Sequence, residues 1–216
     1  SDVCSSDLTK LASIGNIIIS DQKLNSFDGG LTWAYQTGDN SYGMNIATSP
    51  TQFLKIYNRL QSNNPATWTY FVGSDGINWT SRTFPYTALG YNADVSFYSA
   101  RWCNDRYILS GAAFVPITNV NNVVQYIQKG KIWYSTDGIN WTTRTPTSPA
   151  QDWKSVWYGN GRFVCVSVGS AQAMYSTDGI NWTLTSVPNN GSMSAVTYGV
   201  GSGGGRFIAV QGGAST

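Results

Sequence analysis

One short motif occurs four times in this chain of 216 residues and constrains its fold more than any other feature. The copies are Ser26-Phe-Asp-Gly-Gly-Leu-Thr-Trp33, Ser74-Asp-Gly-Ile-Asn-Trp79, Ser135-Thr-Asp-Gly-Ile-Asn-Trp141 and Ser176-Thr-Asp-Gly-Ile-Asn-Trp182. The tryptophans of successive copies are 46, 62 and 41 residues apart. A motif that recurs at such intervals is typical of repeat folds, and one four-stranded propeller blade takes about 40–45 residues. The spacing therefore predicts a β-propeller.

The repeat that ends near residue 187 has the clearest strand pattern. It predicts four strands, at Lys154–Tyr158, Arg162–Val168, Gln172–Ser176 and Trp182–Val187, because these segments are rich in β-branched and aromatic residues and are separated by Gly and Asn turns. The longest interval between motifs is explained by one insertion. We predict a long polar loop from Ala113 to Lys129, between the second and third strands of its blade.

The predicted fold is all-β, with about four and a half blades of four antiparallel strands in a single domain, residues 9–216. The expected blades span residues 9–36, 41–84, 93–146, 153–188 and, incomplete, 193–216. Since the last segment holds only two predicted strands and no motif, we expect an open arc cut from a ring of six or more blades. Residues 1–8 resemble the translated end of a sequencing adapter, and we interpret them as an artefact of gene assembly.

Each motif is suited to a tight turn between two strands. An Asp carboxylate accepts hydrogen bonds from main-chain N–H groups one or two residues further on, and Gly adopts a conformation that a β-carbon disfavours. The Trp that follows buries a large ring against the hairpin. We therefore predict structural roles for the residues of all four turns: Ser26, Asp28, Gly30, Trp33, Asp75, Gly76, Trp79, Ser135, Asp137, Gly138, Trp141, Ser176, Asp178, Gly179 and Trp182.

The first copy resembles the Asp-box, Ser-x-Asp-x-Gly-x-Thr-Trp, at every fixed position. The other copies resemble a variant that is one residue shorter between Asp and Trp, and the second has Gly73 where the Ser belongs. Asp-box (BNR-like) repeats occur in the β-propellers of sialidases, other secreted glycan-active proteins, a photosystem assembly factor, and phage tail and receptor-binding proteins. The Ser-Thr-Asp-Gly-Ile-Asn-Trp-Thr form is most similar to the phage group. The resemblance implies a fold rather than an activity.

The residue types that are missing exclude several kinds of chemistry from this segment. All eleven acidic residues are aspartates, and the chain has neither Glu nor His. It therefore cannot form a Ser-His-Asp triad, a His-containing zinc site or the Tyr–Glu nucleophile that the sialidase resemblance implies. Only Asp39, Asp94 and Asp152 are expected near blade junctions, where an active site would lie. We predict no catalytic residue, no metal site and no cofactor.

Charge and hydropathy restrict the partners. The net charge is +2, with thirteen scattered Lys and Arg residues, so no nucleic-acid partner is expected. No apolar run approaches 18 residues, so no membrane insertion is expected. Once residues 1–8 are set aside, Cys103 and Cys165 remain, and we predict that both are free buried thiols.

A ligand is expected on the face opposite the Asp-Gly turns, because that face carries the longer loops. The segment Phe84–Asn92 combines aromatic rings with amide groups, which suit stacking on sugars and bonding to hydroxyls, although Phe84 and Tyr91 could instead fill the gap between blades. The candidate ligand-binding residues are Tyr86, Tyr91, Asn92 and Tyr126.

The resulting hypothesis is a non-catalytic binding propeller, part of a phage tail or other virion adhesion protein that recognises a surface glycan or protein receptor. One alternative is a fragment of a secreted, sialidase-like glycosidase whose catalytic blades lie elsewhere. A second alternative is an assembly-factor propeller that scaffolds other proteins. We expect a virion-tail or extracellular location, with the remaining blades or subunits of a parent protein as further partners.

Overall fold

The computed structural model describes residues 11–20, 24–35, 44–61, 63–64, 68–85, 87, 89, 94–118, 124–144, 146, 152–188 and 192–211. Over these residues the chain consists of β-strands and turns and contains no α-helix. The strands form four small antiparallel sheets, arranged as the blades of a β-propeller, and one further β-hairpin. The prediction of an all-β propeller with four-stranded antiparallel blades is confirmed.

The first two blades each have four strands in chain order. The first blade contains β1 (Leu11–Ile14), β2 (Ile17–Ser20), β3 (Leu24–Ser26) and β4 (Ala34–Tyr35). The second blade contains β5 (Met44–Thr48), β6 (Phe53–Tyr57), β8 (Thr69–Gly73) and β9 (Thr80–Thr83). Between β6 and β8 lies β7 (Arg59–Leu60), which leaves its own repeat and pairs with the third blade.

The remaining strands form the third and fourth blades and the last hairpin. The third blade contains β10 (Val95–Cys103), β11 (Arg106–Thr118), β12 (Val124–Ser135) and β13 (Thr142–Arg144). The fourth contains β14 (Asp152–Gly159), β15 (Arg162–Val168), β16 (Gln172–Ser176) and β17 (Thr183–Ser186). Strands β18 (Met193–Gly201) and β19 (Gly204–Gln211) form the hairpin. In the fourth blade, β15 and β16 have the bounds that the sequence pattern predicts.

The hydrophobic core is a series of junctions between consecutive blades. The first strands β1, β5, β10, β14 and β18 contact one another in chain order, as the inner strands of a propeller do. Strand β15 contributes to two junctions because alternate side chains point to opposite faces of a sheet. Its Phe163 and Cys165 pack against the third blade, whereas Val164 and Val166 pack against the last hairpin.

The predicted polar loop from Ala113 to Lys129 is instead mostly β-hairpin. Strands β11 and β12 stay paired out to Thr118 and Val124, so the ladder extends well beyond the rest of the blade. The prediction was wrong because it relied on the polar residues of this segment. The segment also contains β-forming residues, such as Val115, which pairs with Ile127 in the extension. The third blade therefore carries a projecting hairpin, which we call the β11–β12 extension.

The two cysteines differ. Cys165 is a free thiol with no exposed surface, and burial raises its pKa, so its reactivity is low. Cys103 is also buried, but it is in a disulfide. The prediction of a free thiol was wrong for Cys103, since disulfide connectivity does not follow from spacing alone.

Candidate functional site

The four Asp-Gly turns connect the third and fourth strands of each blade, and we call this side of the propeller the turn face. In the third copy, Asp137 Oδ1 accepts hydrogen bonds from the N–H groups of Ile139 and Asn140, each at 2.8 Å. The Asn140 amide donates to Asp137 Oδ2 at 2.7 Å, and Gly138 N–H donates to Ser135 Oγ at 2.9 Å. The fourth copy repeats each of these bonds. The carboxylate thus holds the turn closed.

The first copy forms a similar turn with one more residue. Thr32 donates to Asp28 twice, from its N–H at 2.9 Å and from its hydroxyl at 2.6 Å, while Gly30 N–H donates to Ser26 Oγ at 2.8 Å. The Thr32 hydroxyl therefore donates to the second oxygen of its Asp carboxylate, as the Asn140 amide does in the shorter form. Gly30 has a φ of 94°, a left-handed value that favours Gly at this position.

The second copy shows why Gly73 replaces the expected Ser. The N–H and side-chain amide of Asn78 donate to Asp75 at 2.7 and 2.6 Å, so the carboxylate keeps its role. A β-carbon on Gly73 would lie 2.5 Å from the carbonyl oxygen of Asn78. A Ser at this position would collide with the main chain of its own turn.

These hydrogen bonds lower the pKa values of the turn carboxylates. Bonds from Thr32 lower the pKa of Asp28 from its ordinary value of 3.8 to about 2. At Asp137 burial raises the pKa, but the N–H groups of Asn140 and Ile139 outweigh it and bring the value to about 2. The turn aspartates are therefore ionised at neutral pH and engaged inside their turns, which leaves them unsuited to proton transfer.

The turns also join each blade to the one before it. Tyr70 in the second blade donates to the Gly138 carbonyl at 2.8 Å, and Arg106 in the third blade donates to the Asp178 carbonyl at 2.5 Å. The ring of Trp141 is only 6% exposed and meets the Tyr70 ring edge-on at 6.3 Å. These contacts link neighbouring blades, and the structural role of the turn residues stays a prediction that mutagenesis tests.

The opposite side of the propeller, the loop face, holds a polar cluster where the third and fourth blades meet. Its members are Tyr98 from β10, Gln128 from β12, and Asp152 and Lys154 from β14, and we call it the Tyr98–Asp152 cluster. The Tyr98 hydroxyl donates to Asp152 Oδ2 at 3.0 Å, and the Gln128 amide bonds to Asp152 Oδ1 and lies 3.4 Å from the Tyr98 oxygen. The Lys154 ammonium lies 4.1 Å from the centroid of the Tyr98 ring.

Two β-bulges create this cluster. The pairing of β10 with β11 shifts between Phe97 and Ser99, and the pairing of β14 with β15 shifts between Trp153 and Ser155. The bulged residues are Tyr98 and Lys154, which follow the buried aromatics Phe97 and Trp153. A bulge re-aims the side chain it carries and is often found beside functional sites. Here it brings a phenol and an ammonium from neighbouring blades into contact.

The electrostatics of the cluster keep its phenol protonated. Burial, and then the charge of Asp152, raise the pKa of Tyr98 to about 12, so the phenol stays protonated and donates to the carboxylate. Glycoside hydrolysis by carboxylates needs two of them across one bond. No second carboxylate takes part in this cluster within the described residues, and Asp94 forms an ion pair with Arg59 at 2.5 Å. The described part of the chain also has no cluster of His, Cys or Asp residues able to hold a metal ion.

The sequence-based ligand candidates have different outcomes. Tyr86, Tyr91 and Asn92 lie outside the described residues, as does Asp39. Tyr126 is 48% exposed on the β11–β12 extension, opposite Pro116. Phe84 is buried and packs at 5.6 Å from Trp141, so it fills a blade junction and is not a ligand contact.

Three of the four residues in the Tyr98–Asp152 cluster were not predicted from the sequence. Asp152 was singled out as an aspartate near a blade junction, but Tyr98, Gln128 and Lys154 were not. Tyr98 and Lys154 each follow a buried aromatic residue, Phe97 and Trp153, but the bulges that direct their side chains are seen only in the strand pairing. Gln128 was missed because its contact with Asp152 depends on the position of strand β12, which the predicted loop did not contain.

Comparison with known proteins supports the fold. No protein-family model and no curated protein matches the chain. A solved structure titled "YCF48 bound to D1 peptide" matches with a TM-score of 0.51 and 16% identity over 87% of this chain and 56% of that chain. The Bombyx mori GH32 β-fructofuranosidase BmSUC1 matches with a TM-score of 0.42 and 16% identity over 77% of this chain. Since 41% of the BmSUC1 chain is covered, this chain spans about half the length of the structures it matches.

Proposed function

We propose that this propeller is a non-catalytic binding protein that recognises a surface glycan through its loop face. The observation that carries the proposal is the Tyr98–Asp152 cluster, where an amide, a carboxylate, a phenol and an ammonium converge at one blade junction. Sugar hydroxyls donate and accept hydrogen bonds at once, so a mixed set of donors and acceptors is suited to them.

The β11–β12 extension supports the same proposal. It presents Tyr126 to solvent on the strand that also carries Gln128. An exposed ring beside fixed polar groups offers a stacking surface next to hydrogen-bonding groups. The cluster would then fix the orientation of a sugar while the aromatic ring contributes apolar contact area.

The proposal also includes a biological setting, a virion adhesion protein. The repeated Ser-Thr-Asp-Gly-Ile-Asn-Trp form is most similar to phage tail and receptor-binding propellers, which favours a virion adhesion protein acting outside the cell. Within the described residues, no helix has the length and apolar character needed to cross a bilayer.

A glycan array, with fluorogenic glycosides including sialosides as a parallel assay, tests the proposal. We expect binding without turnover, reduced about two- to tenfold by Tyr98→Phe or Lys154→Ala, since each removes one polar group from the site. Tyr175→Phe and Arg162→Ala are the matched controls, because this pair makes a similar cation–ring contact at 5.8 Å on the turn side of the fourth blade. Turnover of any glycoside would replace this proposal with the glycosidase alternative.

A second candidate is binding of an extended peptide. The structure of YCF48 that resembles this chain was determined with a D1 peptide bound, and that protein shares the propeller fold at 16% identity. A peptide array probed with the same variants separates the two candidates. Selective capture of peptides, with no glycan bound, would favour the scaffold alternative.

A further inference from the structure

The second turn differs from the other three at one main-chain amide, the N–H of the Gly that follows the Asp. In the first turn, the Gly29 N–H donates to the carbonyl of Asn16 at 2.9 Å. In the third and fourth turns, the N–H groups of Gly138 and Gly179 donate to a Ser hydroxyl at 2.9 and 2.8 Å. In the second turn, the N–H of Gly76 makes no hydrogen bond to any of the described residues.

The missing hydrogen bond follows from Gly73. Gly73 occupies the position that Ser135 has in the third turn, and it brings no hydroxyl to accept the bond. The Asn78 carbonyl crowds this position, so a larger residue does not fit there. Gly76 itself is buried, and a buried main-chain N–H without an acceptor is rare in folded proteins.

The carboxylate beside this amide is held much as in the other turns. Asp75 Oδ1 accepts from the N–H groups of Ile77 and Asn78 at 2.9 and 2.7 Å, and Oδ2 accepts from the Asn78 amide at 2.6 Å. Asp137 accepts the same three bonds and a fourth from the Ser135 hydroxyl at 2.9 Å. The two turns therefore differ in the bonds that the Ser hydroxyl makes, to the carboxylate and to the Gly amide.

An Asp-Gly sequence can close into a ring, because Gly has no β-carbon to hinder attack by its nitrogen. The Gly nitrogen bonds to the carboxyl carbon of a protonated Asp, and the amide hydrogen and the carboxyl hydroxyl leave as one water molecule. A second water then opens the five-membered imide. Attack at one carbonyl restores Asp, and attack at the other gives isoaspartate, in which the main chain runs through the former side-chain carboxyl.

We propose that Asp75–Gly76 is a covalent modification site, at which isoaspartate forms faster than at the other Asp-Gly turns of the folded protein. Ring closure removes the amide hydrogen, so it costs a hydrogen bond at Gly29, Gly138 and Gly179 but none at Gly76. The loss of one ordinary hydrogen bond corresponds to a change of about two- to tenfold in rate.

The modification acts on a blade junction. A β-carbon on Gly76 would lie 3.0 Å from Ile17 and 3.1 Å from Ile19, so the Gly76 main chain packs closely against the first blade. From the same blade, the Asn25 amide donates to the Gly76 carbonyl at 3.2 Å. Isoaspartate adds one methylene to the main chain beside Gly76 and displaces the carboxylate, so we expect the modified protein to melt at a lower temperature.

Site-resolved peptide mapping of the full chain tests the proposal. The folded protein is aged in mildly acidic buffer, since ring closure needs a protonated carboxyl, and electron-transfer fragmentation distinguishes isoaspartate from aspartate. We expect isoaspartate to accumulate about two- to tenfold faster at Asp75 than at the other three turn aspartates. In concentrated urea, the three turns that share Asp-Gly-Ile-Asn-Trp should react at similar rates. Equal rates in the folded protein, or an excess at Asp75 that persists in urea, would overturn the proposal.

Ser135→Ala makes the test specific to the hydroxyl, because it removes the acceptor of the third turn and keeps a β-carbon. The rate at Asp137 should rise to that at Asp75, while the rate at Asp178 stays as in the wild type. Ser176→Ala repeats the test in the fourth blade, with Asp137 as the unchanged turn. Circular dichroism checks that both variants remain folded. If neither substitution raises the rate in its own turn, the hydroxyl does not protect the Asp-Gly sequence and the proposal is wrong.

Discussion

At the scale of single residues, the four turn aspartates accept hydrogen bonds from main-chain N–H groups of their own turns. Asp178 accepts bonds from Ile180 and Asn181 at 2.8 Å and from the Asn181 amide at 2.7 Å. Asp178→Ala should lower the free energy of unfolding by about 1–2 kcal/mol, the usual cost of losing a side-chain bond to a turn. Thr177→Ala, in the same turn, is the control and should have little effect. Urea denaturation measures both, and an unchanged midpoint for Asp178→Ala would contradict this account.

The lowered pKa values of Asp28 and Asp137, both about 2, predict a particular acid sensitivity. A carboxyl group whose pKa is lower in the folded than in the unfolded state stabilises the fold above its unfolded pKa of 3.8. That contribution is lost as the pH falls through the folded value. The melting temperature should therefore decline between about pH 4 and pH 2, as followed by calorimetry. Asp137→Asn should melt lower at neutral pH and show a shallower decline.

At Gly73, the repeat pattern and the geometry of the turn predict opposite effects of the same substitution. The other copies of the motif have Ser at this position, so the consensus of the copies predicts that Gly73→Ser stabilises the protein. The Asn78 carbonyl, 2.5 Å from the β-carbon position, predicts that the change destabilises. Thermal melting decides between the two, and a higher melting temperature for Gly73→Ser would mean that the turn relaxes more readily than its geometry indicates.

At the scale of strands and turns, the exposure of the Trp in each motif indicates how tightly its blade junction is packed. Trp141 is 6% exposed between the second and third blades, and Trp33 is 44% exposed at the end of the first. Trp141→Ala should cost about 3–5 kcal/mol because it leaves a cavity in a packed junction. Trp33→Ala should cost markedly less, as measured in denaturant at low protein concentration. Equal costs would show that exposure does not decide the contribution of these rings.

The strands and the turns could be predicted from the sequence because the same pattern recurs in each repeat. Strands β15 and β16 have the predicted bounds, and the Asp137 and Asp178 turns have the predicted bonds to main-chain N–H groups. The β11–β12 extension was missed because polar residues between Ala113 and Lys129 outweighed its alternating Val and Ile. The bulges at Tyr98 and Lys154 were missed because a bulge depends on cross-strand register, which one sequence does not reveal.

At the scale of the whole molecule, the two faces of the propeller differ in structure. The turn face joins blades through bonds such as Tyr70 to the Gly138 carbonyl, while the loop face brings Tyr98 and Asp152 together from neighbouring blades. The sequence predicted from strand topology which turns and loops share a face, and the division of structural and binding roles between the two faces stays a prediction. The sequence could not identify the polar cluster, because that cluster is assembled from three strands of two blades.

The most direct test of this division is calorimetric titration of the best-bound array glycan into two variants. We expect Tyr98→Phe to keep the wild-type melting temperature and lose affinity, and Asp137→Asn to lose melting temperature and keep affinity. The opposite pattern, with Asp137→Asn abolishing binding and Tyr98→Phe leaving it intact, would place the site on the turn face and contradict the account.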